Sequence, residues 1–276
     1  MSLAGLANVN IELTSRCNKN CHMCGRRERD RIYKDLEYGD MPFEMVEKIA
    51  EQIPSGIVVQ LHNNGEPLLY PRFGEVANLF KKKGCIISIT TNGKLIVKKF
   101  DEIVNNLNSI SISIFENDPE VDSQFELITK FLELKDNKYN DRNNSTFVVL
   151  RFIGNVDESR YKEFLDRPDV IRAKRVLHSP QGSVCYTSPP TVPEFGICVE
   201  FLRHLAIDRY GNVSCCVRFD PDGALRLGNI NDKSLARMWS GLKRRTMLRL
   251  HATGQREKIP FCGKKCHFWG IATSGE

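Results

Sequence analysis

Residues 13–24 read LTSRCNKNCHMC and place three cysteines at a C-x3-C-x2-C spacing: Cys17, Cys21 and Cys24. The stretch continues an alternating, β-branched run at residues 9–13, which predicts a strand that ends just before the cysteines. Three thiolates this close on one loop can share a soft-metal centre, and thiolates are the usual ligands of iron–sulfur clusters. A structural zinc site is the alternative, with His22 or a distant residue as fourth ligand, although such sites usually take paired C-x2-C units. The spacing therefore favours an iron–sulfur loop after the first strand.

On either side of this loop, from residue 9 to about residue 177, the chain alternates between short β-branched runs and segments of helical periodicity. Six runs predict strands, at residues 9–13, 57–61, 86–89, 110–114, 147–150 and 175–177. Between them, apolar residues recur at three- and four-residue steps, as at Phe43, Val46, Ile49 and Ile53. Strands joined by helices pair in parallel, so we expect an α/β sheet that can curl toward a barrel. The functional groups of such sheets gather at the C-terminal strand ends.

Further polar segments lie at the expected strand ends. Residues 63–67, NNGEP, follow the second strand, residues 90–93, TTNG, follow the third, and Ser113 lies at the end of the fourth. Taken alone, residues 63–67 are most simply a Gly-Pro turn. Together with the cysteine loop, however, these segments occur in order along one edge of the expected sheet.

In that combination the chain resembles the radical S-adenosylmethionine (SAM) superfamily, with residues 64–66 similar to its Gly-Gly-Glu segment and residues 91–93 to its Thr-Asn-Gly turn. The resemblance implies a partial (βα)6 barrel with a [4Fe-4S] cluster held by Cys17, Cys21 and Cys24. The fourth iron site is then left for the amino and carboxylate groups of SAM. The positions implied to lie around SAM are Met23, Asn64, Gly65, Glu66, Asn92 and Ser113. Glu66 is expected to contact the amino group, and the Met23 thioether can pack against adenine.

The C-terminal third carries a second set of cysteines around a hairpin candidate at residues 205–217. The layout resembles the SPASM/twitch extension of the same superfamily. It implies one fully ligated auxiliary [4Fe-4S] cluster with four ligands: Cys198, Cys216, Cys262 and Cys266. A structural zinc knuckle is the alternative for these residues. Cys215 competes with Cys216, which fits the offset from Gly211 better.

The change of pattern divides the chain into a barrel domain at residues 1–184 and an auxiliary-cluster domain at residues 185–276. Residues 188–193, SPPTVP, form a stiff linker that cannot continue a helix. A helix is expected at residues 234–251, after the hairpin. Of the two isolated cysteines, Cys85 is expected in the core and Cys185 on a loop without a role.

The implied reaction is reductive cleavage of SAM to a 5′-deoxyadenosyl radical, which abstracts hydrogen from a substrate. In its size and its single auxiliary cluster, the chain resembles the aminocyclitol dehydrogenase branch of the superfamily. We therefore expect oxidation of a carbinol in a cyclitol or sugar-like molecule, with the auxiliary cluster as electron acceptor. Candidate substrate residues are Arg151, His178 and Gln181. The alternatives are a peptide-modifying enzyme and a redox-neutral epimerase or rearrangement enzyme. Entry into the first strand by residue 8, without a preceding recognition domain, favours a small molecule.

Composition limits the partners and the location. The chain has 276 residues, 40 Lys+Arg against 34 Asp+Glu, and 10 cysteines. A net charge of +6 is mild and makes nucleic acid an unlikely partner, and the basic run at residues 243–249 is expected to be a solvated helix face. No stretch approaches 18 uncharged apolar residues, and no signal peptide is apparent at the N-terminus. We therefore expect an oxygen-sensitive cytoplasmic enzyme that takes electrons from a flavodoxin or ferredoxin.

Overall fold

The computed structural model describes residues 2–26, 30, 37–139, 145–175, 191–192, 197–216, 223–259, 262 and 271–272. Six parallel strands lie side by side in chain order: β1 (Asn8–Ile11), β2 (Val58–Gln60), β3 (Ile86–Thr91), β4 (Ser109–Phe115), β5 (Phe147–Ile153) and β6 (Val170–Arg175). The α/β class with parallel pairing is therefore confirmed. The sixth strand lies earlier than the predicted residues 175–177, of which 176–177 are outside the described residues.

Helices connect consecutive strands and cover one face of the sheet. They are α1 (Phe43–Gln52), α2 (Phe73–Lys82), α3 (Phe100–Asn106), α4 (Val121–Lys138) and the short α5 (Lys162–Leu165). The helix α1 shows why this arrangement forms: its buried side chains Val46, Ile49 and Ala50 share one stripe. They pack against aliphatic strand residues such as Val59 and Ile87 in one continuous core.

The C-terminal extension continues the same sheet. Strand β8 (His204–Ile207) pairs in parallel with β1 on the side away from β2, and β9 (Asn212–Ser214) and β10 (Arg226–Asn229) follow in antiparallel order. The hairpin prediction at residues 205–217 is thus confirmed in its β8–β9 pair. A separate antiparallel pair joins β7 (Thr191–Val192) to β11 (Ile271–Ala272). The sheet crosses the predicted domain boundary at residue 184, which stays a prediction.

Helices of the extension are α6 (Val199–Arg203), α7 (Leu235–Trp239) and α8 (Leu242–Ala252). The predicted single helix at residues 234–251 is divided because Ser240 ends α7 and Gly241 begins α8. Hydrogen bonds also tie the helix α7 to the barrel: the Trp239 indole donates to the carbonyl of Ala4 (3.0 Å), and the Gln52 side chain accepts from the Leu235 amide (2.8 Å).

The basic run on α8 is not wholly a solvated face. Arg244 is buried, stacks on the ring of Trp239, and donates to the carbonyls of Phe201 and Leu202. The expectation was wrong for this residue because the guanidinium satisfies carbonyl groups at the end of α6, which a helical charge pattern does not reveal. No helix among the described residues is long and apolar enough to cross a membrane.

Side chains alternate between the two faces of the barrel sheet, as a period of two requires. The outer face, under the helices, is aliphatic: Val9, Ile11, Val59, Ile87, Ile89, Ile110, Ile112, Val148 and Leu150. The inner face carries most of the polar strand residues: Asn8, Asn10, Glu12, Gln60, His62, Ser88, Thr90, Ser111 and Arg151. By the strand register it also carries Val58, Ile86, Phe147 and Val149. A fully buried apolar parallel sheet has aliphatic residues on both faces. The polar side chains of the inner face therefore set it apart from the aliphatic face under the helices.

Candidate active site

The N-terminal cysteines lie at the carboxyl end of β1 and share one cavity. Cys17, Cys21 and Cys24 line a space of about 420 Å³ together with polar neighbours: Asn18, Lys19, Asn20, Arg26 and Asp30. All three thiols are partly buried. The loop turns back on itself, since the amide of Cys24 donates to the carbonyl of Cys21 (3.1 Å).

These thiols fit an iron–sulfur cluster. Burial, followed by the neighbouring Cys24, raises the pKa of Cys21 to about 12, and burial also raises the pKa of Cys24. A buried thiol of this kind is protonated at neutral pH until a cation supports the thiolate, as iron does. Among the described residues, no three His, Cys, Asp or Glu side chains are arranged to hold a single metal ion. A cubane cluster presents several irons to its cysteines, so the soft donor set suits it.

The Asn92 side chain connects the third strand to the cysteine loop. Its Nδ2 donates to Oδ1 of Asn18 (2.8 Å) and lies 3.8 Å from Sγ of Cys17. Its backbone amide donates to Oε2 of Glu66 (2.8 Å). The structure thus brings the predicted residues Asn92 and Glu66 together beside the first cysteine.

Glu66 is 2% exposed, and its carboxylate accepts three hydrogen bonds. The donors are the Thr91 hydroxyl (2.7 Å), the Asn92 amide and the Leu68 amide (3.2 Å). Burial raises the pKa of Glu66, while these hydrogen bonds lower it. The carboxylate therefore joins the second and third strand ends, and its expected contact with SAM stays a prediction.

Gly65 brings the second strand end against the cysteine loop. A Cβ at this position would lie 2.0 Å from the carbonyl oxygen of Thr14 and 2.8 Å from that of Arg16. The next residue continues the contact, because the Glu66 amide donates to the Arg16 carbonyl (2.8 Å). Only glycine fits at this approach of two backbones.

A buried ion pair holds the middle of the cysteine loop against the fourth strand end. Nζ of Lys19 lies 2.5 Å from Oδ2 of Asp118, and the two side chains are only 5% and 0% exposed. The ammonium also lies 4.7 Å from the ring centre of Phe115. Nearby, Lys94 pairs with Glu120 (2.6 Å) and donates to the carbonyl of Asn18 (3.4 Å). Sequence analysis missed these contacts, because they join distant positions: Asp118 is 99 residues from Lys19, and Lys94 is 76 residues from Asn18.

The inner face contributes residues that the sequence analysis also missed. Oε2 of Glu12 accepts from the side-chain amide of Asn64 (2.8 Å), and the Thr90 amide donates to Nδ1 of His62 (3.0 Å). Arg151 lies near enough to His62 to lower the pKa of the imidazole. Strict polar–apolar alternation at residues 8–13 and 59–62 was the available signal.

Of the remaining residues singled out in the sequence, some lie within the described part of the structure and others lie outside it. Met23 is partly buried on the cysteine loop, and Ser113 pairs with Arg151 in the β4–β5 register. His178, Gln181, Cys185 and Cys266 lie outside the described residues. Cys85 is buried as expected, and its thiol lies 3.6 Å from the carbonyl of Pro54.

Three of the C-terminal cysteines predicted as ligands lie together. Cys198, Cys216 and Cys262 pack around one apolar cluster of buried residues: Phe201, Cys215, Leu225, Met247 and Ile259. Burial and the neighbouring Cys216 and Cys262 raise the pKa of Cys215 well above the ordinary value. The Cys215 thiol is fully buried and lies 3.8 Å from the Leu225 carbonyl.

Two family models match the chain. The Radical SAM superfamily matches residues 11–160, and an iron–sulfur cluster-binding domain, SPASM, matches residues 198–267. A curated relative is the "tungsten-containing aldehyde ferredoxin oxidoreductase cofactor-modifying protein" of Pyrococcus furiosus, 34% identical over 107 residues. That match covers 38% of this chain and only 28% of the relative.

Solved structures share the fold at low identity. BtrN in complex with AdoMet and 2-DOIA aligns with a TM-score of 0.62 at 15% identity, over 98% of this chain and 96% of BtrN. Native anSMEcpe with bound AdoMet aligns with a TM-score of 0.64 at 15% identity, over 89% and 84%. SuiB of Streptococcus suis bound to S-adenosylmethionine aligns with 0.62 at 14%, over 91% and 68%. Because the first family model spans more than half of the chain, this protein belongs to the radical SAM superfamily, whose cofactors are S-adenosylmethionine and a [4Fe-4S] cluster, and it carries a C-terminal iron–sulfur cluster-binding domain of the SPASM type.

Proposed function

We propose that the protein is a radical SAM dehydrogenase that oxidises a carbinol of a small polar substrate, such as a cyclitol or sugar-like molecule. The observation that carries this proposal is the set of polar side chains on the inner face of the barrel, in a chain with a three-cysteine loop at the carboxyl end of β1 and a second cysteine set in the extension. The alignment with BtrN along nearly the whole of both chains supports the same reading.

Cys17, Cys21 and Cys24 would hold the SAM-binding cluster. With SAM, that cluster would supply the radical chemistry that removes hydrogen from a carbinol carbon, and the auxiliary cluster would supply the acceptor for the one electron that is lost as the ketone forms. The chain's own residues position these parts. Asn92 orients the first cysteine, Glu66 fixes Asn92, and the Lys19–Asp118 pair holds the loop.

The auxiliary cluster would be held by Cys198, Cys216, Cys262 and Cys266. Cys216 is favoured over Cys215 because the Cys215 thiol is fully enclosed by apolar side chains and directed to the Leu225 carbonyl. An apolar surrounding limits solvent access, which is one of the factors that set the reduction potential of such clusters.

A peptide-modifying reaction is the second candidate. SuiB, a structural neighbour, is described as bound to its precursor peptide SuiA, with a TM-score of 0.58 to this chain. A redox-neutral epimerisation is a third outcome, and it needs no electron acceptor. We further propose a cytoplasmic location and a flavodoxin or ferredoxin as reductant.

The test is the iron content after anaerobic reconstitution. We expect about eight irons in the wild type and about four in a triple Cys17, Cys21, Cys24→Ala variant. A triple Cys198, Cys216, Cys262→Ala variant should also retain about four. The wild type and the second variant should cleave SAM, whereas only the wild type should form a ketone from a carbinol substrate. Ketone formation by the second variant would refute the role of the auxiliary cluster.

A further inference from the structure

One buried asparagine side chain on the inner face of the barrel has a carbonyl oxygen that accepts no hydrogen bond. Asn10, on β1, is 3% exposed, and its Nδ2 donates to the carbonyl of His62 (3.4 Å). Within the described part of the chain, nothing donates to its Oδ1. A buried polar atom without a partner loses its hydrogen bonds to water and gains none in return, so each such atom in a native protein calls for an explanation.

The imidazole of His62 is a hydrogen-bond donor, not a base. A backbone amide can only donate, so the bond from the Thr90 amide to Nδ1 (3.0 Å) places the ring proton on Nε2. Burial, with a smaller effect of Arg151, lowers the pKa of His62 to about 3, so the ring is neutral at pH 7. No described residue accepts a hydrogen bond from Nε2.

One negative and one positive side chain, those of Glu12 and Arg151, lie near Asn10 and His62. Asn10 on β1 is the register partner of Gln60 on β2. Two residues further along each strand, toward the cysteine loop, come Glu12 and His62 on the same face of the sheet. Glu12 is itself held by Asn64 (2.8 Å). The carboxylate of Glu12 therefore lies on the cysteine-loop side of Asn10, and the guanidinium of Arg151 lies near enough to His62 to lower the pKa of its imidazole. Opposite charges beside the two residues suit an uncharged polar group with both donor and acceptor capacity.

We propose that Asn10 and His62 form a subsite for one hydroxyl group of the substrate, which donates to Oδ1 of Asn10 and accepts from Nε2 of His62. A hydroxyl is the smallest group that satisfies both atoms. The inference rests on the proposed function and narrows its substrate class. Since the reacting carbinol lies nearer the cysteine loop, the substrate must carry a second hydroxyl, as a cyclitol or an amino sugar does.

The experiment uses the full chain, reconstituted anaerobically with iron, sulfide and SAM. The probes are myo-inositol, 2-deoxystreptamine and D-glucosamine, tested by saturation-transfer NMR for binding and by probe-dependent formation of 5′-deoxyadenosine. The variants are Asn10→Ala, His62→Asn and His62→Gln. Asparagine keeps an acceptor for the Thr90 amide but loses the donor at Nε2, whereas the glutamine amide can replace that donor. Asn106→Ala, on the outer helix α3, is the matched control.

We expect at least one probe to bind, with its KM or Kd raised roughly 3- to 10-fold by Asn10→Ala and by His62→Asn. His62→Gln should restore most of the affinity, and Asn106→Ala should leave it unchanged. Iron content and the slow cleavage of SAM without a probe should stay at wild-type values in all variants. Loss of either in the inner-face variants would mean that the pair is structural, which overturns the subsite.

The two proposals fail separately. If the wild type forms no 5′-deoxyadenosine under any condition, the proposed function is overturned, and the subsite with it. If SAM is cleaved but no probe binds, or the variants bind as the wild type does, the subsite alone is overturned. Binding of an added peptide in place of the three probes would favour the peptide-modifying alternative and also overturn the subsite.

Discussion

The two cysteine regions of the molecule are built in opposite ways. The N-terminal loop borders a cavity lined by polar and charged side chains, and a buried ion pair holds it in place. The C-terminal cysteines instead pack around an apolar cluster. Metal sites that react keep an open position, whereas sites that serve structure are closed by protein ligands. In the parts of both regions that the structure describes, it is therefore the N-terminal loop, and not the C-terminal cysteine set, that borders space for a ligand.

The largest effect is expected in the C-terminal region, when the adjacent residues Cys215 and Cys216 are changed one at a time. We expect Cys216→Ala to lose about four irons and the ketone product, because it removes a proposed ligand. Cys215→Ala should keep all the iron and lose only stability, since this thiol behaves as a small buried hydrophobe. Iron analysis and thermal unfolding of both variants decide the matter. The reverse pattern would identify Cys215 as the ligand.

The next largest effect is expected at the ion pair that holds the open loop. Asp118→Asn leaves the Lys19 ammonium buried without its counter-charge, which typically costs about 3–5 kcal/mol. Part of that cost should appear as weaker iron retention during chelator challenge. The exposed pair Arg160–Asp122 provides the control, because Asp122→Asn should cost less than about 1 kcal/mol. Equal effects of the two variants would show that the buried pair does not hold the loop.

A smaller effect is expected where the second strand end meets the cysteine loop. Gly65→Ala places a Cβ against backbone carbonyls that cannot move independently, so we expect a loss near the upper end of the usual 1–3 kcal/mol for overpacking. Gly74→Ala is the matched control, because its nearest neighbour is the flexible side chain of Glu102 at 3.0 Å. Denaturant unfolding and iron content measure both. A tolerated Gly65→Ala would argue against close approach of the two segments.

The smallest effect concerns one histidine in each region. Burial lowers the pKa of His62 to about 3 and that of His251 to about 4. Both values lie below the unfolded value near 6.5, so each group destabilises the fold as pH falls below 6.5, by about 1.4 kcal/mol at pH 5.5. His62→Gln and His251→Gln should each flatten the stability profile between pH 6.5 and 4.5. An unchanged profile would show that the histidine is not buried in its neutral form.

The sequence predicts those parts of the fold and the site that depend on residues close together in the chain. The parallel strands and the cysteine loop follow from local patterns and spacing, whereas the segments around Glu66 and Asn92 were indicated by the resemblance to the superfamily. The Lys19–Asp118 pair could not be predicted, since it joins positions 99 apart whose charges look solvent-exposed in the sequence. The burial of Arg244 depends on carbonyl groups of a different helix. The contact of Asn10 with His62 depends on the strand register, which the sequence does not give.

The pairing of β8 with β1 also constrains how the chain folds. Asn8 and His204 are partners in adjacent strands, although nearly the whole barrel sequence separates them. Contacts between such distant positions close late and slow folding, because the entropy of a long loop is lost first. During synthesis, β1 therefore keeps an unprotected edge until the extension emerges from the ribosome. Insertion of the first cluster into the loop that follows β1 is thus expected to await completion of the C-terminal strands.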